Sequence, residues 1–366
     1  MRFRLQKSDL VAIVLALAVI IFLTLLPSPK DNNPPVPPDS KHRVLKLEKD
    51  CLACHVQGGE HPLKEQHPKR QDCFRCHRVG GAYGAEIVPV SSTQARSVLP
   101  RPEHIVIVIE ENHSYAEIIG NPDAPYLNSL AEQGALFTQS FGMTYPSQPN
   151  YLHLFSGWSP DNIEDTCSNA KPHSFSTPNL GGALIRAGLT FGGYSEDLPS
   201  MGFTGCKSGK YRRRHNPWVN WQGATANEVP ASANRPFADF PTDFNQLPTV
   251  SIVVPNLMND MHDGSIRRAD RWLKTNLKAY VEWAKTHNSL LIVTWDEDDR
   301  RHGNHIPTIF VGPMVRPGRY SERIDYHNVL RTIEDMYGLP HAGNSTTAAP
   351  ILYVWAQRSV APSQAE

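Results

Sequence analysis

The sequence predicts an α/β protein: a mostly parallel sheet flanked by helices, set behind a membrane-spanning segment and a small cysteine-rich module. Three observations carry this reading. Short apolar runs such as HIVIVI, TVSIVVP and SLLIVTW stop abruptly on acids, amides or histidines. Runs of that kind are buried parallel strands whose carboxyl ends face solvent, the edge where open α/β sheets build their sites. Helix-patterned segments separate them, as alternating strands and helices require. Finally, the apolar run LVAIVLALAVIIFLTLL fills residues 10–26.

The chain opens with a basic tip, residues 1–9, carrying Arg2, Arg4 and Lys7. Positive charge before a span holds that tip in the cytoplasm and exports the rest of the chain. The 10–26 run lies at the short limit for a transmembrane helix and ends in LLPSPK, without a small-x-small cleavage site. It is therefore expected to remain as an anchor. Residues 27–41 (PSPKDNNPPVPPDSK) form a Pro-rich linker that favours extended polyproline and cannot build a core. Lys+Arg and Asp+Glu both total 36 in 366 residues, so no charge bias points to nucleic acid.

Residues 42–81 hold two CxxCH motifs, Cys51, Cys54 and His55, then Cys73, Cys76 and His77. Two thioether cysteines and an adjacent axial histidine are the attachment signature of c-type haem. A zinc ribbon fits the cysteine spacing too but leaves both histidines unexplained. The expectation is a small dihaem module, with His61 and His67 as candidate distal ligands and a redox partner implied. Two haems would supply the core that so short a segment lacks.

The main domain spans residues 101–356, with a tail at 357–366. Its first strand ends on Glu110, Glu111, Asn112 and His113. A helix is expected over residues 123–134, capped by Asp123 with Pro125 in its first turn and Gly134 closing it. Ser147 lies between Pro146 and Pro149 before a short apolar helix, a helix-start position that favours negative charge. Thr177 and Pro178 should begin another helix that ends at Gly188. A strand comes next, leading to Glu196 and Asp197. The basic run KYRRRH covers residues 210–215 and reads as a solvated loop. The strand at 249–255 exits onto Asn259, Asp260, His262 and Asp263, and residues 269–286 form an amphipathic helix. The strand at 289–295 runs into Asp296, Glu297, Asp298 and Asp299, of which the last two read as exposed loop. NHIPTIFVG, with His305 at its start, is the final core strand, and residues 327–338 make the closing helix. Cys167 and Cys206 are a candidate disulfide in an exported domain.

EENHSY, APYLNSLAEQGA, YPSQPNYLHLFSG, PNLMNDMHDG, TWDED and NHIPTIFVGP together resemble the phosphoesterase family of bacterial phospholipases C and acid phosphatases, within the alkaline phosphatase superfamily. The likeness runs from about residue 103 to 352 and leaves out the first hundred residues. It implies an alkaline-phosphatase-like fold, with Ser147 as nucleophile and Asn150, one turn into its helix, holding a phosphate oxygen. His215 would reach the site. Glu111, Asn112, Asp260, His262, Asp296, Glu297 and His305 would ligate a divalent metal (zinc, iron, calcium or magnesium), with His262 a stronger ligand than Asp260. The chain departs from familiar superfamily members at Glu111-Asn112, where they have Asp, and at Asp296-Glu297, where they have Asp-His.

The function these readings imply is a metal-dependent phosphoric ester hydrolase, anchored by one span in the bacterial inner membrane with its catalytic domain in the periplasm. The alternative is a membrane-anchored cytochrome whose α/β domain is a binding module. A sulfatase reading fails, because SQPNY does not resemble a formylglycine motif.

Overall fold

The computed structural model describes residues 99–356, apart from 162, 164, 166 and 168–174. The anchor, the linker and the haem module, with Cys51, Cys54, His55, His61, His67, Cys73, Cys76 and His77, lie outside the described residues, as does the tail. Among the described residues no helix is long and apolar enough to cross a membrane.

In chain order the strands are β1 (His104–Glu110), β2 (Ala135–Phe141), β3 (Phe191–Ser195), β4 (Lys207–Ser208), β5 (Tyr211–Arg212), β6 (Asn234–Pro236), β7 (Val250–Val254), β8 (Ser289–Trp295), β9 (His305–Val311), β10 (Gly318–Tyr320) and β11 (Ile324–Asp325). The helices are α1 (Tyr115–Ile118), α2 (Pro125–Gln133), α3 (Ser147–Ser156), α4 (Leu180–Arg186), α5 (Ile266–Ala284) and α6 (Tyr326–Tyr337). The main sheet runs β10-β2-β9-β8-β1-β7-β3-β6, with β11 beside β2. β1 has parallel partners on both sides, β7 and β8. Ile105 to Ile109 are accordingly at most 1% exposed. Burying five such side chains contributes roughly 2 kcal/mol each before conformational entropy is counted.

The sheet is mixed, because β9 runs antiparallel to both β8 and β2. His305, at the start of β9, therefore lies at the same sheet edge as the carboxyl ends of β1, β7 and β8. β2 is a strand the sequence pattern did not predict. It is as long as β1, β8 and β9 but carries polar residues at Thr138, Gln139 and Ser140, and its place is set by pairing with β9, β10 and β11.

Helix starts differ from expectation where a distant group does the capping. Asp123 does not cap α2; Ala124 stands at that position, and Asp123 pairs with Arg267 instead. Asp270 of α5 accepts from the amides of Tyr126 and Leu127 at 2.9 and 2.8 Å, so α2 is capped from its neighbour. Helix α4 starts at Leu180 rather than Thr177, because the Asn179 side chain accepts from Gly182 N. Helices α5 and α6 begin a little before their expected starts, on Ser265 and Asp325 caps.

Helices α2 and α5 pack together, as do α3 and α6. Successive side chains of a strand point to opposite faces. Glu110 thus meets the charge of Asp270 on α5, while Glu111 meets Ser147 and Tyr151 on α3. The two helix pairs cover opposite faces of the sheet. Gly193 on β3 has to be glycine, since a Cβ there would lie 2.1 Å from the Trp218 ring.

Candidate active site

Three strand ends are tied together by main-chain bonds. Glu111 N donates to the Asp260 carbonyl at 2.7 Å, and Asp296 N donates to the Glu110 carbonyl at 3.0 Å. Asn112 and Met261, each next to one of these acids, adopt left-handed φ of 56° and 80°. For methionine that conformation is costly and marks a site that over-determines its backbone.

Glu111 is fully buried and ringed by donors. Its Oε2 accepts from Ser147 Oγ at 3.2 Å and Asn112 Nδ2 at 3.3 Å. Its Oε1 accepts from the Tyr151 hydroxyl and faces His215 Nδ1 at 3.2 Å. The Tyr151 and His215 rings stack with centroids 5.2 Å apart. Burial holds the Glu111 carboxyl well above its usual range, with Asp296 and Asp260 adding repulsion. Burial also holds His215 well below its usual value, with Arg214 pushing the same way. His215 Nε2 accepts from Arg214, so the Nδ1–H is the group that His215 presents to Glu111 Oε1.

Asp260 lies 3.8 Å from His215 through Oδ2. Ligand atoms of Glu111, His215 and Asp260 all fall within 4.8 Å of one another. Asp260 Oδ2 and Asp296 Oδ2 are buried without a hydrogen-bond partner. Burial raises Asp296 to about 7 and Glu297 to about 9, Asp296 adding to the latter. Adjacent buried carboxyls with unpartnered oxygens are what a missing cation would leave. Carboxylate and imidazole donors suit a divalent metal, so the residues fit one.

The nucleophile candidate sits on a braced loop. Ser147 is the first residue of α3 and 2% exposed. Asn150 Oδ1 accepts from the amides of Met143 and Thr144, and its Nδ2 donates to the Thr144 carbonyl and to Glu297. Its amide is committed to shaping this loop, a positioning task rather than the phosphate contact expected of it. Asp298 is not exposed loop: it is 1% exposed and accepts from the Tyr145 hydroxyl and the amides of Arg300, His302 and Asn304. Asn304 completes the clamp, its Oδ1 accepting from Asp298 N and its Nδ2 donating to the Thr144 carbonyl. A Cβ on Gly142 would meet that Asn304 amide at 2.7 Å, so this close approach requires glycine.

The 210–215 run is only partly solvated: Lys210 is exposed, whereas Tyr211, Arg213 and His215 are buried. Arg213 is buried and donates to the Thr204 carbonyl. Arg214 Nε donates to His215 Nε2, and its Nη2 donates to His262 Nε2, both at 3.1 Å. His262 Nδ1 then donates to Asp263 at 2.9 Å. His262 thus stands behind Arg214, while His215 is the imidazole that meets Glu111 and Asp260. His305 is held elsewhere: its Nε2 donates to the Thr138 carbonyl, and its ring lies between Tyr115 and Phe141. Cys167 and Cys206 form a disulfide.

A profile described as the Phosphoesterase family matches residues 121–340. The chain is 52% identical over 263 residues to a phosphatidylinositol-3-phosphatase of Mycobacterium tuberculosis, a match covering 71% of this chain and 85% of that one. It is 28% identical over 264 residues to a probable acid phosphatase of Kluyveromyces lactis, covering 68% and 61% respectively. A solved Vibrio parahaemolyticus protein in the alkaline phosphatase superfamily overlays with a TM-score of 0.48 at 13% identity, over 69% of this chain and 71% of that one. The chain belongs to the phosphoesterase family.

This phosphoesterase is a phosphoric ester hydrolase. Its strand-end acids, Ser147, Tyr151, Asp298 and Asn304 all stand in its motifs, but the roles of the last three, and of Arg214, emerge only from the fold. Tyr151 had a usable signal, lying one helical turn after Ser147 in the YPSQPNY stretch. Asp298 had none, since a run of carboxylates and arginines reads as surface.

Proposed function

We propose that this phosphoesterase hydrolyses phosphate monoesters through Ser147, with a 3-phosphorylated inositol lipid as its substrate class. The observation that carries the chemistry is the Ser147 hydroxyl at a helix start, 3.2 Å from Glu111 Oε2. The substrate class rests on the phosphatidylinositol-3-phosphatase relative at 52% identity. Glu111 Oε2 orients the hydroxyl so that an Oγ lone pair meets phosphorus. The Oγ–P bond forms as the bond from phosphorus to the lipid alcohol oxygen breaks, and the proton that leaves the Ser147 hydroxyl ends on the departing alcohol. Water then adds to the phosphoserine, the Oγ–P bond breaks and Ser147 regains its proton. In the first turn of α3 only Ser147 and Gln148 carry a main-chain N–H, because Pro149 has none, and these two would meet the charge that develops on phosphoryl oxygens.

Glu111, His215, Asp260 and Asp296 would hold a divalent cation, with Asn112 and Glu297 beside them; bound there, it would lower the hydroxyl pKa and offset phosphoryl charge. His262 and His305 remain ligand proposals from the family likeness. Acid-quenched reaction with substrate, digestion and mass spectrometry should find phosphate on Ser147. Phosphate on another residue would overturn the assignment.

Residues 10–26 and the paired CxxCH motifs support a wider reading: a single-pass inner-membrane protein with a periplasmic catalytic domain, two c-type haems and a redox partner. The Cys167–Cys206 disulfide suits an oxidising compartment. A mature chain starting near residue 28, or a denatured full-length sample with no haem absorbance, would each remove one part of it.

A further inference from the structure

Asp165 reaches the start of α3 from eighteen residues beyond Ser147 (165 minus 147). Its Oδ1 accepts from the amide of Gln148, the residue after Ser147, at 2.9 Å. Its Oδ2 lies 3.4 Å from Arg214 Nε. One carboxylate therefore spans a guanidinium and the amide beside the reacting oxygen. Those two donor types are the ones that hold phosphoryl oxygens, and a carboxylate shares phosphate's negative charge and paired acceptor oxygens. Arg214 is held in place by two imidazoles, its Nε donating to His215 and its Nη2 to His262, so the Asp165 carboxylate meets it as a charge beside Nε rather than as the acceptor of that N–H. Both side chains keep contact with solvent, Asp165 at 30% and Arg214 at 20%, so an incoming anion has access to them.

We propose that the Gln148 amide and Arg214 form the seat for a non-bridging phosphoryl oxygen, and that Asp165 fills this seat in the resting enzyme as an internal competitor. Substrate phosphate takes the seat by displacing the Asp165 carboxylate. This rests on Ser147 being the reacting residue. A competitor that fills a site lowers the apparent affinity of an external ligand by the fraction of time the site is open.

The test measures inhibition by inorganic phosphate and KM for an aryl phosphate monoester in the full-length, metal-loaded enzyme. Asp165→Ala should lower both constants, by about tenfold if the seat is nine-tenths filled at rest. Arg214→Ala should raise both, and adding Asp165→Ala to it should change little, because the competitor has lost its anchor. A merely structural Asp165 predicts the opposite sign: Asp165→Ala would raise KM and weaken phosphate inhibition, and that result overturns the proposal, as would unchanged constants. If Asp165→Ala does not fold, Asp165→Asn decides the matter. It keeps an acceptor for Gln148 but no charge for Arg214, so a smaller fall in both constants supports the competitor and no fall overturns it. The two readings fail separately. Wild-type turnover in Ser147→Ala would remove the nucleophile, while a wrong-signed phosphate inhibition constant in Asp165→Ala would remove the competitor alone.

Discussion

Glu110 and Glu111 are adjacent, identical in type and equally buried, yet their surroundings are opposite. Glu111 looks toward α3, where Ser147, Tyr151, Asn112 and His215 all present donors to it. Glu110 looks toward α5 and, among the described residues, has no hydrogen-bond partner on either oxygen. Burial raises the pKa of both well above the ordinary carboxyl value. The difference lies in what each side of the sheet offers. The α3 face gathers donors, a hydroxyl and further acids around its carboxyl, which is an arrangement for chemistry. On the α5 side, burial first and then the charges of Asp270 and Glu196, with that of Asp260 reaching from the site, only disfavour ionisation. A perturbed pKa alone does not mark a site; the partners do.

The largest effect should come from the α3 side. Ser147→Ala should cut kcat roughly 10⁴-fold while KM stays near wild type, since the attacking oxygen is lost and the binding groups remain. Steady-state kinetics on an aryl phosphate monoester checks this, and near-normal kcat would break the comparison at its centre. Asp298→Ala comes next. It frees the Tyr145 hydroxyl and three loop amides that fix the turn before Ser147. A misplacement of about 1 Å costs on the order of 100-fold in rate, so kcat should fall by about that factor with KM little changed. Asp298→Asn, which keeps one acceptor oxygen, should recover part of the loss. Equal damage in both variants, with a matching drop in thermal stability, would make Asp298 a folding residue only.

Much of this was legible in the residues. The runs that became β1, β7, β8 and β9 announced themselves by unbroken apolar composition, and their polar ends located the site edge. β2 did not, because ALFTQSF breaks its apolar run with Thr138, Gln139 and Ser140 and its identity as a strand comes from β9. Nor could the sequence say that α2 is capped by Asp270, a residue well over a hundred positions away. Which of Glu110 and Glu111 faces the serine depends on the phase of one strand against two helix pairs, and a run of two identical acids carries no phase. The same limit applies to Arg214 and His262. Their partners come from separate loops, so spacing along the chain could rank His262 above Asp260 without showing that His215 is the imidazole that meets the acids.

The metal reading sharpens the comparison through pH. Asp296 and Glu297 have folded-state values raised from 3.8 to about 7 and from 4.5 to about 9. For an acid with a raised pKa, the stability it contributes is complete below its unfolded value and is lost as pH rises through the folded one. The metal-free enzyme should therefore lose stability from about pH 4 up to about pH 9. A divalent cation needs these groups ionised, so its stabilisation should grow over the same window. At a hundredfold excess over Kd the gain is about 2.7 kcal/mol, or roughly 5–10 °C in Tm. Thermal melts with chelator and with added zinc or magnesium, at pH 5 and pH 8, test this. A gap between the two melts that shrinks as pH rises would contradict the carboxyl cluster as the metal site.

The smallest expected effect belongs to Glu110, and it has the opposite sign. Replacing a buried, unpartnered carboxyl by an apolar side chain of similar length removes a desolvation cost and breaks no hydrogen bond. Glu110→Met should therefore raise stability, by about 1–3 kcal/mol at neutral pH, with kcat near wild type. The sign comes from the raised pKa: Glu110 is accommodated when protonated and opposes folding increasingly as pH climbs above its unfolded value of 4.5. The advantage of Glu110→Met should accordingly be smaller at pH 5 than at pH 8. Urea unfolding of the two proteins at both pH values measures it, with equal m values needed for a clean comparison. Loss of stability on Glu110→Met would mean that Glu110 has a partner in solution, such as a buried water or an ion. Loss of activity without loss of stability would mean that both faces of β1 serve the reaction.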